Sequence, residues 1–343
     1  MPLDACSRIA VLTKPGFLGD TIVATPLLRR LREAAPAARI ALLAGPGAQA
    51  LMRGCPWVDE VIALDHREVA GLAGTLRLAR RLRARRFDAA FLVNRSLRSA
   101  VAAALARVPM RVGHATESRG PLLTVRVTYD WGRPDRLCAL DLLAALGAPA
   151  EPCLPELWVS GPERNAARRL LAAHGVPEAA DVIAVQPGAH DPEVRRWRPE
   201  RFAEAADRLA AGGGASVALL GAAGEEETAR EVAGLMRARP AVLAGVTGLR
   251  EALAVIASSE LWLGNDGGMF HAAVALGTPS VGVFGPTKAP RWGHYETPDS
   301  ITIVACPERA AASRTQIRAC LDAVTVERAV EAARAALRAP RRG

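Results

Sequence analysis

The run Gly264-Asn265-Asp266-Gly267-Gly268-Met269-Phe270-His271, continued by alanines and closed by Leu276-Gly277-Thr278-Pro279, constrains the fold more than any other part of the chain. Leu261-Trp262-Leu263 before it reads as a buried strand. The glycine turn then breaks directly into a helix, Gly277 ends that helix, and Pro279 prevents its continuation. Residues 280–284 supply the next apolar strand and Gly285 a second turn. A strand, helix and strand at this spacing make a right-handed βαβ unit with both strands parallel in one sheet. Asp266 falls at the strand end. Gly267 and Gly268 leave room for a ligand over the backbone, and the helix that starts there aims free N–H groups and the positive end of its dipole at that ligand. The same glycines also suit an ordinary tight crossover. His271 lies one turn into the helix on the side of Asp266.

The pattern recurs along the chain. Strands are expected at 8–13, 39–44, 60–64 and 87–93, with helices at 21–34, 46–53, 68–86 and 134–146, and Arg111-Val112-Gly113 as a further strand end. After the proline-rich stretch 148–162, helices at 163–174, 199–211, 225–238 and 249–258 alternate with strands at 182–185, at 216–220 and near Val242. With 343 residues the chain suits two α/β domains, each with a parallel, doubly wound sheet. The expected division is 1–155 and 156–325, with a last amphipathic helix in 326–343 packing back across the junction. Asp20, in the loop after the first strand, lies at the edge where open α/β sheets hold ligands.

Composition narrows the function classes. The formal net charge is +9, with Lys14 and Lys288 the only lysines, so the excess is arginine. That suits phosphorylated ligands or an anionic surface, while 4% aromatics argue against a base-stacking platform for nucleic acid. No apolar run reaches the length of a membrane span and no cationic leader precedes Asp4, so a cytoplasmic protein is expected, with peripheral contact to the inner face of the membrane as an extension. The six cysteines show no CxxC spacing, so reduced thiols are expected, with neither a zinc site nor a disulfide framework.

The loop 14–20 with Thr25-Pro26, the segment 95–99 with Arg111-Val112-Gly113, Pro187-Gly188-Ala189, Arg195-Arg196-Trp197 with Glu200 and Phe202, Gly221 with Glu225, the stretch 264–271, Phe284-Gly285-Pro286-Thr287, and Cys320-Leu321 with Val326 occur in an order that resembles glycosyltransferase family 9. These are the ADP-heptose:lipopolysaccharide heptosyltransferases of Gram-negative bacteria. The resemblance covers nearly the whole chain. It implies a GT-B fold of two facing Rossmann-like domains, with the acceptor on the first and the nucleotide-sugar on the second, and an inverting, metal-independent transfer with no cofactor beyond an ADP-sugar donor. By the same resemblance Asp20 is the general base, Arg195 meets the donor phosphates, and Glu225 or Glu226 holds the ribose. Asp266, Gly267 and Gly268 form the helix-start site with Met269 and His271 behind it, and Arg196, Thr287 and Lys288 complete the donor side. Lys14, Gly19, Arg95 and Arg98 are expected on the acceptor side. The implied acceptor is an anionic or lipid-linked glycan, and the implied state is a monomer. The chain departs from the family pattern at Gly267, where a hydroxyl residue is usual, at Arg195, where lysine is, and at Ala24, where histidine often stands.

Each role has a plainer counterpart. Asp20 can cap a helix beginning at Thr21, Arg195 can be a surface charge beside Trp197, Glu225 can be the acidic first turn of its helix, and His271 can be a packed core residue. Among rival activities, a nicotinamide oxidoreductase lacks its fingerprint, since neither glycine loop reads GxGxxG with an acid about twenty residues on. A nucleotide-sugar epimerase, a two-lobed binding protein and a family member acting on a small natural product remain as alternatives.

Overall fold

A computed structural model describes residues 2–285, 289–293, 295, 297–306 and 313–340. The chain divides into two compact units, Met1–Leu157 and Trp158–Gly343.

The first unit holds strands β1 (Arg8–Leu12), β2 (Arg39–Ala44), β3 (Glu60–Ala63), β4 (Ala89–Leu92), β5 (Met110–His114) and β6 (Val125–Val127). They form one parallel sheet in the order β3-β2-β1-β4-β5-β6. Its helices are α1 (Leu18–Ile22), α2 (Thr25–Ala34), α3 (Ala48–Leu51), α4 (Gly71–Arg85), α5 (Leu97–Leu105) and α6 (Asp135–Ala144). β4 is buried at every position, and β1 and β2 at all but the first, as expected for parallel strands covered on both faces.

The second unit holds helices α7 (Gly161–Ala173), α8 (Pro192–Arg195), α9 (Pro199–Gly213), α10 (Glu226–Leu235), α11 (Leu249–Ala257), α12 (Gly268–Ala275), α13 (Ala289–Trp292), α14 (Arg314–Ala323) and α15 (Val326–Arg338). Its strands are β7 (Val182–Gln186), β8 (Ser216–Leu219), β9 (Ala241–Val242), β10 (Leu261–Asn265), β11 (Ser280–Phe284) and β12 (Ser300–Val304), in the order β12-β11-β10-β7-β8-β9. Read from the other edge, this repeats the strand order of the first sheet. Ser160 and Glu163 form a reciprocal cap at the start of α7, and Glu163 is gripped by Arg250 at 2.7 Å, so its carboxyl is held down to about 2. α15 packs on α9 and under β10 to β12, with Val326, Ala329, Val330, Ala333 and Ala336 in the core.

Two expectations are corrected. The helix expected at 21–34 is two helices, α1 and α2, with Pro26 in the first turn of α2 and Phe17 at the N-cap position of α1. Asp20 therefore sits inside the first turn of α1 and caps no helix at Thr21. The cysteines are not all reduced: Cys306 and Cys320 form a disulfide, Cα to Cα 5.6 Å, because α14 folds back beside the end of β12. Cys6, Cys55, Cys138 and Cys153 are free.

Candidate active site

In the first unit the carboxyl ends of β1, β4 and β5 open onto a cavity of about 330 Å³. The turn from β1 into α1 brings Lys14 and Asp20 to its wall, the turn after β4 brings Asn94, Arg95, Ser96 and Arg98, and the end of β5 brings His114. Gly19 precedes Asp20 within α1. Burial pushes the Asp20 carboxyl up to about 6, with Asp135 adding to the rise and Lys14 and Arg95 opposing it. A carboxylate so placed is deprotonated at neutral pH and still basic enough to take a proton from a hydroxyl.

Residues with no assigned role in the sequence complete this wall. Asp135, at the start of α6, accepts a hydrogen bond from the Tyr129 hydroxyl and pairs with Arg95 Nη1 at 3.4 Å. Arg95 lies over the Tyr129 ring, 4.5 Å from its centre. His114 is 2% exposed and packs edge-on against Tyr129. Burial lowers His114 to about 4, so the ring is neutral, and Nε2 donates to the Cys138 carbonyl at 3.0 Å. Arg119 is fully buried, and among the described residues its guanidinium donates to backbone carbonyls: His114 at 2.7 Å, Asn94 at 2.6 Å, Leu92 at 3.3 Å and Ser96 at 3.4 Å. It staples the ends of β4 and β5 together, and burial lowers it only to about 10, so it adds fixed positive charge behind the cavity.

In the second unit Asn265, last residue of β10 and 4% exposed, is the hub. Its Nδ2 donates to the carbonyls of Pro187 at 2.9 Å and Gly188 at 3.2 Å, and its Oδ1 accepts from the Trp197 N–H at 2.8 Å. The turn after β7 and the segment that follows α8 are thereby tied to the end of β10, next to Asp266. Asp266 pairs with Arg195 Nη1 at 3.5 Å, the Arg195 side chain being 44% exposed and that of Asp266 16%. Gly267 occupies the N-cap position of α12 with no side-chain cap. Among the described residues a Cβ on Gly267 would meet only the Asn265 carbonyl oxygen, at 3.9 Å, so they leave the space over this helix end open. The first N–H groups of α12, starting at Gly268 and Met269, point toward that space.

Glu225 is not spent on the first turn of α10. Its carboxylate turns back to accept from the Ala222 N–H at 2.8 Å and lies so close over Gly188 that a Cβ there would come within 2.3 Å of it. A side chain at that position would displace the Glu225 carboxylate. Glu226 accepts from the Gly224 N–H at 2.7 Å and packs on Gly245. Arg196 turns to Thr228 Oγ1 at 3.0 Å, while its carbonyl accepts from Arg318. His271 is 4% exposed and its Nδ1 lies 2.5 Å from the Tyr295 hydroxyl, within the cluster of Phe270, Trp292 and Tyr295. Thr287 and Lys288 lie outside the described residues. Among the described residues no group of three or more His, Cys, Asp or Glu side chains is placed to hold a metal ion, and no helix is long and apolar enough to cross a membrane.

The chain is similar to known proteins. The profile of Glycosyltransferase family 9 (heptosyltransferase) matches residues 75–321. The chain is 30% identical over 288 residues to lipopolysaccharide heptosyltransferase 2 of Salmonella typhimurium, covering 80% of this chain and 82% of that one. Among solved structures it is similar to a family 9 glycosyl transferase from Veillonella parvula, with 24% identity, 98% of both chains covered and a TM-score of 0.84. It is also similar to the ADP-heptose LPS heptosyltransferase II of Escherichia coli, with 26% identity, 96% and 98% of the two chains covered and a TM-score of 0.76. The two six-stranded parallel sheets are those of a GT-B fold. The chain is a glycosyltransferase and belongs to glycosyltransferase family 9, the heptosyltransferases.

Proposed function

We propose that the protein moves a heptosyl residue from an ADP-sugar to a hydroxyl of a lipopolysaccharide inner-core or similar anionic glycan, with inversion at the transferred carbon and without a metal. The observation that carries the reading is the contrast in charge between the two strand-end sites: a carboxylate raised to about 6 in one, and an arginine beside an uncapped helix N-terminus in the other. Asp20 takes the proton of the acceptor hydroxyl as its oxygen bonds to the anomeric carbon, and the bond from that carbon to the diphosphate breaks on the opposite face. ADP leaves with the electron pair. Arg195 and the N–H groups of Gly268 and Met269 meet the charge that develops on the leaving phosphate, which is the part a metal would otherwise play. Glu225, whose carboxylate lies over Gly188, accepts from the ribose hydroxyls in this reading. The relatives' names, lipopolysaccharide heptosyltransferase 2 and ADP-heptose LPS heptosyltransferase II, support this choice of donor and acceptor.

The test mixes the enzyme with ADP-heptose and deacylated inner-core oligosaccharide in EDTA. ADP release that depends on the acceptor, with inverted configuration at the new glycosidic bond by NMR, is the expected result. Release without acceptor, retained configuration, or loss of turnover on chelation overturns the respective part of the reading. A lipid-linked acceptor is supported by the exposed face of α4, where Leu72 (77% exposed) and Leu76 (39%) stand beside Arg77, Arg80 and Arg81. Sedimentation with phosphatidylglycerol vesicles but not phosphatidylcholine vesicles is expected, and no sedimentation with either removes the membrane part.

A further inference from the structure

Five of the six tryptophans are buried or half-buried, and Trp131 alone stands 64% exposed. It belongs to the short connection from β6 to α6, and that connection is held. Asp130 Oδ1 accepts from the Gly132 N–H at 2.9 Å, and Arg133 Nη1 grips both oxygens of Asp141 at 2.8 and 2.9 Å. The indole is therefore presented by a pinned turn. Its edge packs on Tyr129, ring centres 4.8 Å apart, and the Arg95 guanidinium lies 5.8 Å from its centre. Tyr129 and Arg95 both line the cavity that holds Asp20.

An indole 64% exposed on a pinned turn, next to a substrate cavity and packed on a residue that lines it, is a surface suited to a ligand. Its π face suits the C–H face of a pyranose ring, whose carbon-bound hydrogens carry partial positive charge. The adjacent Arg95, held by Asp135 at 3.4 Å and over the Tyr129 ring, sets positive charge beside a carboxylate or phosphate on the same sugar. We propose that Trp131 and Arg95 form an acceptor subsite that stacks an acidic sugar unit of the glycan, next to the unit whose hydroxyl faces Asp20. This rests on the acceptor being a glycan and names the part of the chain that recognises it. Trp131 acts in binding and takes no part in proton transfer.

The experiment compares wild type with Trp131→Ala and Trp131→Phe, using deacylated inner-core oligosaccharide as acceptor, and measures transfer and saturation-transfer NMR contacts. Trp131→Ala is expected to raise the acceptor KM about tenfold with kcat, donor KM and melting temperature nearly unchanged, and Trp131→Phe to recover most of the loss. Sugar-ring protons of the oligosaccharide should receive saturation from wild type and lose it in Trp131→Ala. An unchanged acceptor KM together with unchanged saturation overturns the subsite. A fall in kcat alone also overturns it, because stacking of a remote unit acts on binding. If wild type binds the oligosaccharide through Trp131 but transfers nothing to it, the subsite stands and the proposed reaction fails. If transfer proceeds but is indifferent to Trp131, the reaction stands and the subsite fails.

Discussion

The two units are built on one plan and carry opposite charges at the same place. Each sheet runs in the same order about its first and fourth strands, β1 and β4 in one and β7 and β10 in the other. At each of these switch points an asparagine reaches from the end of the fourth strand to the end of the first. Asn94 Nδ2 donates to the Thr13 carbonyl at 3.1 Å, and Asn265 Nδ2 donates to the carbonyls of Pro187 and Gly188. The next residue differs. It is Arg95 after Asn94, paired with Asp135, and Asp266 after Asn265, paired with Arg195. The first site encloses a carboxylate and makes it basic, whereas the second sets a cation beside a helix start that no side chain caps among the described residues. One scaffold thus presents a raised carboxyl at one strand end and an arginine at the other, and the side chains at those ends, more than the repeated fold, set what each site can do.

The largest break in this comparison is Asp20→Asn, expected to lower kcat by about a hundredfold or more while leaving the ADP dissociation constant nearly unchanged. In the wild type, kcat should rise with pH through about 6, as the base loses its proton. The stability effect has the opposite sign. Asp20 binds its proton more tightly folded, at about 6, than at its ordinary 3.8, so the group's contribution to stability is lost as pH rises across that interval. Asparagine removes the cost, and the variant should melt about 2 to 5 °C higher at pH 7. Near-normal turnover sinks the base role, and a lower melting temperature contradicts the burial argument.

Arg195→Ala tests the other side. Loss of a charge-assisted phosphate contact should weaken ADP binding by roughly ten- to a hundredfold, and Arg195→Lys should recover part of it as a single-point contact. Calorimetric titration with ADP is the measurement. If Asp20→Asn weakens ADP as much as Arg195→Ala does, the two sites do not divide the substrates as proposed.

The central strands are legible in the sequence because parallel strands covered on both faces read as unbroken apolar runs, as in Ile9 to Leu12 and Leu261 to Leu263. The edge strands β6 and β12 are not, since Val125-Arg126-Val127 and Ser300 to Val304 are short or only partly buried. α5 is equally silent: Ser96 makes no side-chain cap, and the helix is largely alanine. The break between α1 and α2 is hidden because the apolar spacing runs across Val23 and Ala24, and Pro26, which marks the start of a second helix, suits the early part of one longer helix just as well. Of the sites, Asp20, Arg195 and Asp266 stand out as strand-end residues in local motifs. Asp135, Tyr129, His114 and Trp131 do not, because they approach Arg95 from β5, the segment after β6 and the start of α6, and no local spacing encodes that meeting. A signal is available nonetheless. The chain has two tyrosines, and each donates to or faces a titratable partner, Tyr129 at Asp135 and Tyr295 at His271.

The two asparagine clamps differ in burial and in the number of backbone groups they hold, and their removal separates them. Asn265 is buried and engages three backbone groups, so Asn265→Ala leaves the Trp197 N–H and two carbonyls without that partner and should cost about 2 to 4 kcal/mol. Asn94 is half-buried and makes one such bond, and its Oδ1 has no partner among the described residues. Asn94→Ala loses that bond but also removes an unsatisfied oxygen, so about 1 kcal/mol or less is expected. Urea unfolding alone can merge two units into one transition, so amide exchange should be read at Trp197 and at Asn94's neighbours. Asn265→Ala should accelerate exchange at Trp197 and also weaken ADP, since the same amide holds Gly188 and the segment after Arg195 in place. Equal costs at the two positions would mean that the clamps are equivalent. The second site would then owe its geometry to Arg195 and Asp266 alone.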